Sequence, residues 1–322
     1  MAELRWNPLL DTYTMVATNR QHRPHMPNNW CAFCPGEGKK VPDDFDVFSY
    51  PNDFPVLSQK PDNIEAHNTP IVKNKKAYGK CEVLLYSPKH DIKLYELSDE
   101  HILKLVELWT ARFVALAKDK KIKYIFEFEN RGEEVGVTMP HPHGQLYAYS
   151  WIPFKIKSEL DNCKKYFTQH KRNLFEDLNQ SEKIYKKRVV AENEDFIAYI
   201  PYFTDYPFGV FIVAKNNLLN FSDFNTEEMK SFGLLLKLLT KGFDAIYDRP
   251  FPYMMCIHQS PVNTKKYADC TNYFRFHVEF YPPLRAKDKI KYYAGSEMGA
   301  GAAANPLDID ECAQILRDKI IQ

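Results

Sequence analysis

Three things are scarce in this sequence: long apolar runs, charge of one dominant sign, and cysteine. Its apolar stretches, such as Phe208–Ala214, fall far short of the ~18 residues a membrane span needs. Lysine and arginine number 43 against 42 aspartate and glutamate, a net charge of +1, which argues against non-specific nucleic-acid or membrane-surface binding. The opening residues, MAELRWNP, hold no basic stub leading into an apolar run, so no secretory leader is expected. Seven cysteines in 322 residues do not make a disulfide scaffold, and they read as reduced thiols of a cytoplasmic protein. Low complexity is confined to Gly299–Ala304, where the glycines nearly fit a dinucleotide fingerprint. Too few residues follow for the βαβ unit that such a fingerprint opens, so that reading is rejected. What is present is an aromatic content of 14% and a length that suggests two domains at ~150 residues each.

Periodicity predicts an α+β chain. Strand Cys81–Ser87 precedes a helix capped by Ser98 and running to about Lys118, with Ile102, Val106, Trp109, Phe113 and Leu116 on one face. A strand over Ile122–Glu129, a polar loop ending at Gln145, and a strand over Leu146–Trp151 follow. The same order recurs as strand Gly209–Lys215, a helix from Asn225 or Thr226 to about Tyr247, strand Tyr253–His258, a loop, and strand Tyr273–Phe280. The chain therefore reads as a duplicated unit, with His-x-His in the first copy and His-x-Glu at the matching strand of the second. Ser158–Asn179 has helical periodicity and is expected to bridge the copies. The Pro- and Asn-rich region Arg20–Pro61 is expected to form loops and short strands.

Cys31-Ala32-Phe33-Cys34 is a knuckle whose two thiolates can grip one tetrahedral zinc, although two packed cysteines in a loop would look the same. No second C-x-x-C exists, so further ligands would be histidines. His90, just beyond a strand, is by itself an ordinary surface histidine. His141-Pro142-His143-Gly144-Gln145 is the sharpest signal. On an extended segment His141, His143 and Gln145 share a face, and Gly144 permits close approach of a backbone or a phosphate. A neutral imidazole is nucleophilic without a separate base, and no Walker loop is present to cradle phosphates. Two close histidines also serve as a metal site or a polar patch. The basic clusters around Lys73, Lys186 and Lys287 have acidic neighbours and read as solvated faces.

These motifs together, with Arg20-x-x-Arg23-Pro24, Asn52-Asp53-Phe54, Ser87-Pro88-x-His90, Glu129-Asn130-x-Gly132, Phe280-Tyr281-Pro282-Pro283 and Gly295-x-Glu297, resemble the galactose-1-phosphate uridylyltransferases, a transferase branch of the histidine-triad superfamily. The resemblance implies two tandem histidine-triad-like units, residues 1–155 and 156–322, each a mainly antiparallel sheet with packed helices. It implies a ping-pong transfer of UMP from UDP-glucose to galactose 1-phosphate, with His143 as nucleophile, His141 orienting it and Gln145 on the non-bridging oxygens. By the same likeness Arg20, Arg23, Asn130 and Thr138 meet phosphates, and Tyr50, Asn52 and Asp53 hold uridine. The hexose end falls on Lys291, Ala294, Ser296 and Glu297. Zinc would be held by Cys31, Cys34, His90 and His141, and a second metal, iron or zinc, by Glu159, His258, His277 and Glu279. Glu279 departs from the histidine of relatives, as Ser296 departs from an aromatic and Ala303 from an amide, which bears on sugar preference. A homodimer whose C-terminal loop reaches the other subunit's site is also implied. A nucleoside diphosphate-sugar phosphorylase on the same fold is the nearest alternative, and a metal-binding interaction module is the non-enzymatic one.

Overall fold

The computed structural model describes residues 2–22, 30–36, 39 and 41–321. The strands are β1 (Ala2–Asn7), β2 (Thr12–Ala17), β3 (Phe48–Pro51), β4 (Asn74–Lys76), β5 (Gly79–Leu85), β6 (Tyr124–Arg131), β7 (His143–Tyr149), β8 (Val189–Glu192), β9 (Phe196–Tyr199), β10 (Phe211–Ala214), β11 (Tyr253–His258), β12 (His277–Tyr281), β13 (Leu284–Ala286) and β14 (Lys289–Ile290). The helices are α1 (Asp99–Ala117), α2 (Phe154–His170), α3 (Leu174–Tyr185), α4 (Thr226–Tyr247) and α5 (Ile309–Ile321).

One antiparallel nine-stranded sheet carries the fold, in the order β3-β5-β7-β6-β11-β12-β10-β9-β8. The duplication expected from the sequence is visible in that order, since β5-β7-β6 is mirrored by β10-β12-β11. The two copies do not keep separate sheets. They join edge to edge where β6 pairs β11, with Asn130 opposite Met254 and Phe128 opposite Cys256. Pairing abolishes two exposed inner edges, which no hydrophobic period can announce.

Strand alternation divides the core. Leu84, Ile125, Leu146 and Ala148 point to one face, buried beneath α1, α4 and α5. Cys81, Tyr124, Tyr147 and Tyr149 point to the other face, packed with Leu4 of β1 and with α2 and α3 residues Leu160 and Phe175. A small third cluster of Ala32, Phe33, Val41, Tyr50, Val83 and Leu85 joins the cysteine knuckle to the sheet.

Helix α1 starts where Ser98 accepts a hydrogen bond from the His101 amide and buries Ile102, Leu105, Val106, Trp109, Phe113 and Leu116. Helix α4 opens with a reciprocal cap between Asn225 and Glu228. The single bridging helix expected over Ser158–Asn179 is two helices instead. Lys171 turns left-handed at φ 56°, and the Asn173 side chain then accepts from the Phe175 amide at 2.9 Å to start α3. Strand β12 starts later than expected, at His277, because the amides of Tyr273 and Phe274 turn back to the Cys270 carbonyl at 3.0 and 2.8 Å. Among the described residues no helix is long and apolar enough to cross a membrane.

Candidate active site

Strand β7 begins at His143, earlier than the apolar pattern at Leu146 suggests. The reason lies in Gly144. A Cβ there would meet the Tyr86 hydroxyl at 2.4 Å, so glycine lets Tyr86 pack flat beneath the strand. His143 and Gln145 then lie on the opposite face from Gly144, opposite Leu85 and Val83 of β5. His141 stands before the strand and is fully buried, so it does not share their surroundings as an unbroken extended segment would require.

His141 and His143 are joined through the main chain. The His143 ring directs Nδ1 to the carbonyl oxygen of His141 at 2.7 Å. If that nitrogen carries the proton, it donates to the carbonyl and Nε2 keeps its lone pair. The His143 ring also meets Phe33 edge-on, at 5.6 Å between centroids, and Phe33 in turn packs on Tyr50 at 6.0 Å. Sequence reasoning missed Phe33, although its place between the two cysteines was the available signal.

His141 turns its Nε2 to the Ser87 carbonyl at 2.8 Å, leaving Nδ1 toward the knuckle. Burial pushes its pKa down to about 4, which keeps the imidazole neutral and able to ligate. Nδ1 of His141 lies 3.8 Å from Cys31 Sγ and 3.6 Å from Cys34 Sγ, and Cys34 Sγ lies 3.3 Å from His90 Nδ1. Metal–ligand bonds of ~2.0–2.3 Å at tetrahedral angles separate ligands by roughly 3.3–3.8 Å, so these residues fit zinc. Burial, with Cys31 beside it, holds the Cys34 thiol up at about 11, a cost that a cation removes by taking the thiolate. Lys39 donates to the Cys31 carbonyl at 2.7 Å and secures the knuckle.

A second cluster sits in the C-terminal copy. Glu159 Oε2 lies 2.8 Å from His258 Nδ1, and Glu279 Oε1 lies 3.5 Å from His277 Nε2. Donor atoms of all four residues lie within 4.8 Å of one another. Burial alone would lower the His258 pKa, but the two carboxylates override it and hold it above the ordinary value. Among the described residues the buried Oε1 of Glu159 has no hydrogen-bond partner, an orphan that a cation would satisfy, so this nitrogen and oxygen set also fits a metal.

The remaining expected residues divide into groups. A cavity of about 1020 Å³ brings together His143, Asn130, Thr138 and the cluster of Cys31, Cys34, His90 and His141. Tyr50 donates to Asp53 at 2.7 Å, while Asn52 accepts from the Phe54 amide at 2.9 Å, so these three form one turn beside Phe33. Gln145 stands on the β7 face shared with His143. Arg20 is half-buried, and its charge is felt at Cys81, whose thiol burial raises to about 11. Arg23 lies outside the described residues. Lys291, Ala294, Ser296 and Glu297 do not line the His143 cavity. They gather in the C-terminal copy, where Lys291 Nζ lies 4.0 Å from Glu297 and 4.3 Å above the Tyr293 ring. All seven cysteines are free thiols.

Comparison with known proteins places the whole chain in one family. Residues 1–153 match the N-terminal domain model of galactose-1-phosphate uridyl transferase, and residues 159–313 match its C-terminal domain model. The galactose-1-phosphate uridylyltransferase of Thermotoga maritima is 36% identical, over 100% of both chains. That of Saccharomyces cerevisiae is 31% identical, over 98% of this chain and 93% of the other. A solved uridylyltransferase structure superposes with a TM-score of 0.88 at 27% identity, over 99% of this chain and 98% of the other. An ADP-glucose phosphorylase from Arabidopsis thaliana shares the fold, with a TM-score of 0.74 at 24% identity over 99% of each chain. The class is thus that of an enzyme, a nucleotidyltransferase. Within that class the chain belongs to the galactose-1-phosphate uridyl transferase family.

Proposed function

We propose that this chain moves a uridylyl group from UDP-glucose to galactose 1-phosphate by double displacement on His143. The observation that carries the reading is the His143 Nδ1 contact to the His141 carbonyl, which would fix the tautomer and keep the lone pair on Nε2. In the first half-reaction a bond forms between Nε2 and the α-phosphorus, the anhydride P–O bond breaks, and glucose 1-phosphate leaves. In the second, a phosphate oxygen of galactose 1-phosphate attacks the same phosphorus and the N–P bond breaks, giving UDP-galactose.

The chemistry belongs to residues 1–155, with 156–322 as the second unit. Gln145 donates to the non-bridging oxygens, Arg20, Arg23, Asn130 and Thr138 hold phosphate, and Tyr50, Asn52 and Asp53 hold uridine. Cys31, Cys34, His90 and His141 hold zinc, which supplies a structural brace for the segment leading into His143. Glu159, His258, His277 and Glu279 hold a second metal, iron or zinc. Lys291, Ala294, Ser296 and Glu297 serve the hexose, contributed across a homodimer to the partner's site, which accords with their absence from the His143 cavity. The free thiols accord with a cytoplasmic setting.

The test is exchange of labelled glucose 1-phosphate into UDP-glucose with no galactose 1-phosphate present. Double displacement requires that exchange, and a direct transfer cannot give it. ADP-glucose compared with UDP-glucose as donor separates the phosphorylase reading, which the shared fold alone keeps in view. Rates with several hexose 1-phosphates as acceptors measure what Ser296 and Ala303 do to sugar choice.

A further inference from the structure

Beside the cluster of Glu159, His258, His277 and Glu279 stands a further charged group that its ligand set does not include. Lys155 and Glu159 lie four residues apart on one face of α2. Lys155 Nζ is 2.5 Å from Glu279 Oε2 and 4.0 Å from Glu159 Oε1. The Tyr281 hydroxyl donates to the same Glu279 oxygen, and Lys155 also reaches that hydroxyl. The Lys155 ammonium sits 4.7 Å over the Tyr281 ring. Glu279 is therefore shared: Oε2 is engaged by Lys155 and Tyr281 and lies 3.8 Å from His258 Nε2, while Oε1 faces His277 at 3.5 Å.

The charges follow from this. As a ligand set, with both imidazoles neutral, the two carboxylates carry a charge of −2, and Lys155 returns one unit to it. A divalent ion entering here meets two negative ligands and a resident ammonium held against one of them.

We propose that Lys155 is the built-in counter-charge of the second cluster: it keeps Glu159 and Glu279 together without a divalent ion, and it weakens the cluster's hold on that ion. The inference rests on the reading that this cluster binds a metal. Two effects of Lys155 oppose each other. Orienting Glu279 would strengthen metal binding, as outer partners of ligands do, by ~10–100-fold. Its positive charge weakens binding through Coulomb repulsion at close range. Because Tyr281 holds the same oxygen, orientation survives removal of Lys155, and the charge effect decides the sign.

The experiment uses the full chain with the cysteine site filled with zinc, and titrates Co2+ by its visible bands, which lack sulfur charge-transfer intensity at an imidazole–carboxylate site. Lys155→Met keeps the aliphatic stem and removes the charge. It is expected to bind Co2+ at least tenfold more tightly than wild type, and to melt lower than wild type in chelator, with that gap closing on loading. Lys155→Arg, which keeps the charge, is expected to match wild type, and Tyr281→Phe to bind more weakly. Lys155→Gln gives the same reading as Lys155→Met if the latter does not fold. Unchanged or weaker Co2+ binding on loss of the Lys155 charge overturns the inference alone. Absence of any Co2+ binding in wild type, with Glu159→Gln indistinguishable from it, overturns the metal reading and this inference with it.

Discussion

Nδ1 of His143 lies 2.7 Å from the carbonyl oxygen of His141, and the His141 ring lies among the thiols of Cys31 and Cys34. The residue that holds the imidazole in place is thus the one anchored in the cysteine–histidine cluster. The placing of the His143 ring and the packing of the cluster are joined through one residue.

Replacing His143 by Gly is expected to lower glucose 1-phosphate exchange by at least about a thousandfold, because a covalent step has no partial substitute. Circular dichroism should remain that of the wild type, since the side chain is half-buried and not part of the main cores. Retained exchange would remove His143 from the chemistry.

Cys34→Ala should lose one zinc per chain by elemental analysis and melt at a lower temperature than wild type. The exchange rate should fall with it, because His141 loses the neighbour that fixes its ring at 3.6 Å. Full activity in a zinc-free variant would separate the cluster from the reacting segment.

Gly144→Ala forces a methyl group to within 2.4 Å of the Tyr86 hydroxyl, an overpacking expected to cost about 1–3 kcal/mol. Removing the hydroxyl in Gly144→Ala/Tyr86→Phe should recover part of the loss, although the ring carbon at 3.1 Å stays close. A double-mutant cycle of thermal stability reads the coupling; strictly additive losses would show that the two residues do not press on each other.

Burial pushes the carboxyls of Glu127 and Glu129 up to about 8 and about 7. Each folded value exceeds the unfolded one, so the fold binds protons more tightly and gains stability from it. That gain is whole below the ordinary 4.5 and is lost as pH rises through about 7 and about 8. Glu127→Gln should therefore show a smaller fall in melting temperature across that window than wild type does. An equal fall in both would mean that Glu127 is already ionised in the fold.

The regular elements were legible where a helical or alternating period meets a clear stop. The sequence reading of α4 ends at Tyr247 as the helix does, and β11 spans Tyr253–His258 as expected. The bridging segment reads as one helix because its apolar period runs on through Leu174 and Leu178, while the break is made by a left-handed Lys171 and an Asn173 cap. The start of β7 was missed for a different reason. Gly144 contributes nothing to a hydrophobic pattern, and its value is the space it leaves for Tyr86.

The duplicated strand-helix-strand order, the HPHGQ segment, the knuckle and, through likeness to a family, the eight metal-ligand candidates are all readable from the chain alone. These are local or catalogued features, carried by residue type and spacing. Only the tertiary structure decided that the copies fuse into one sheet at β6 and β11, that Phe33 meets the His143 ring, and that Lys155 stands against Glu279. Each of those depends on contacts between segments distant in the chain. Glu279 and Lys155 are 124 positions apart, and no period or spacing rule reports which of many lysines folding brings to one carboxylate.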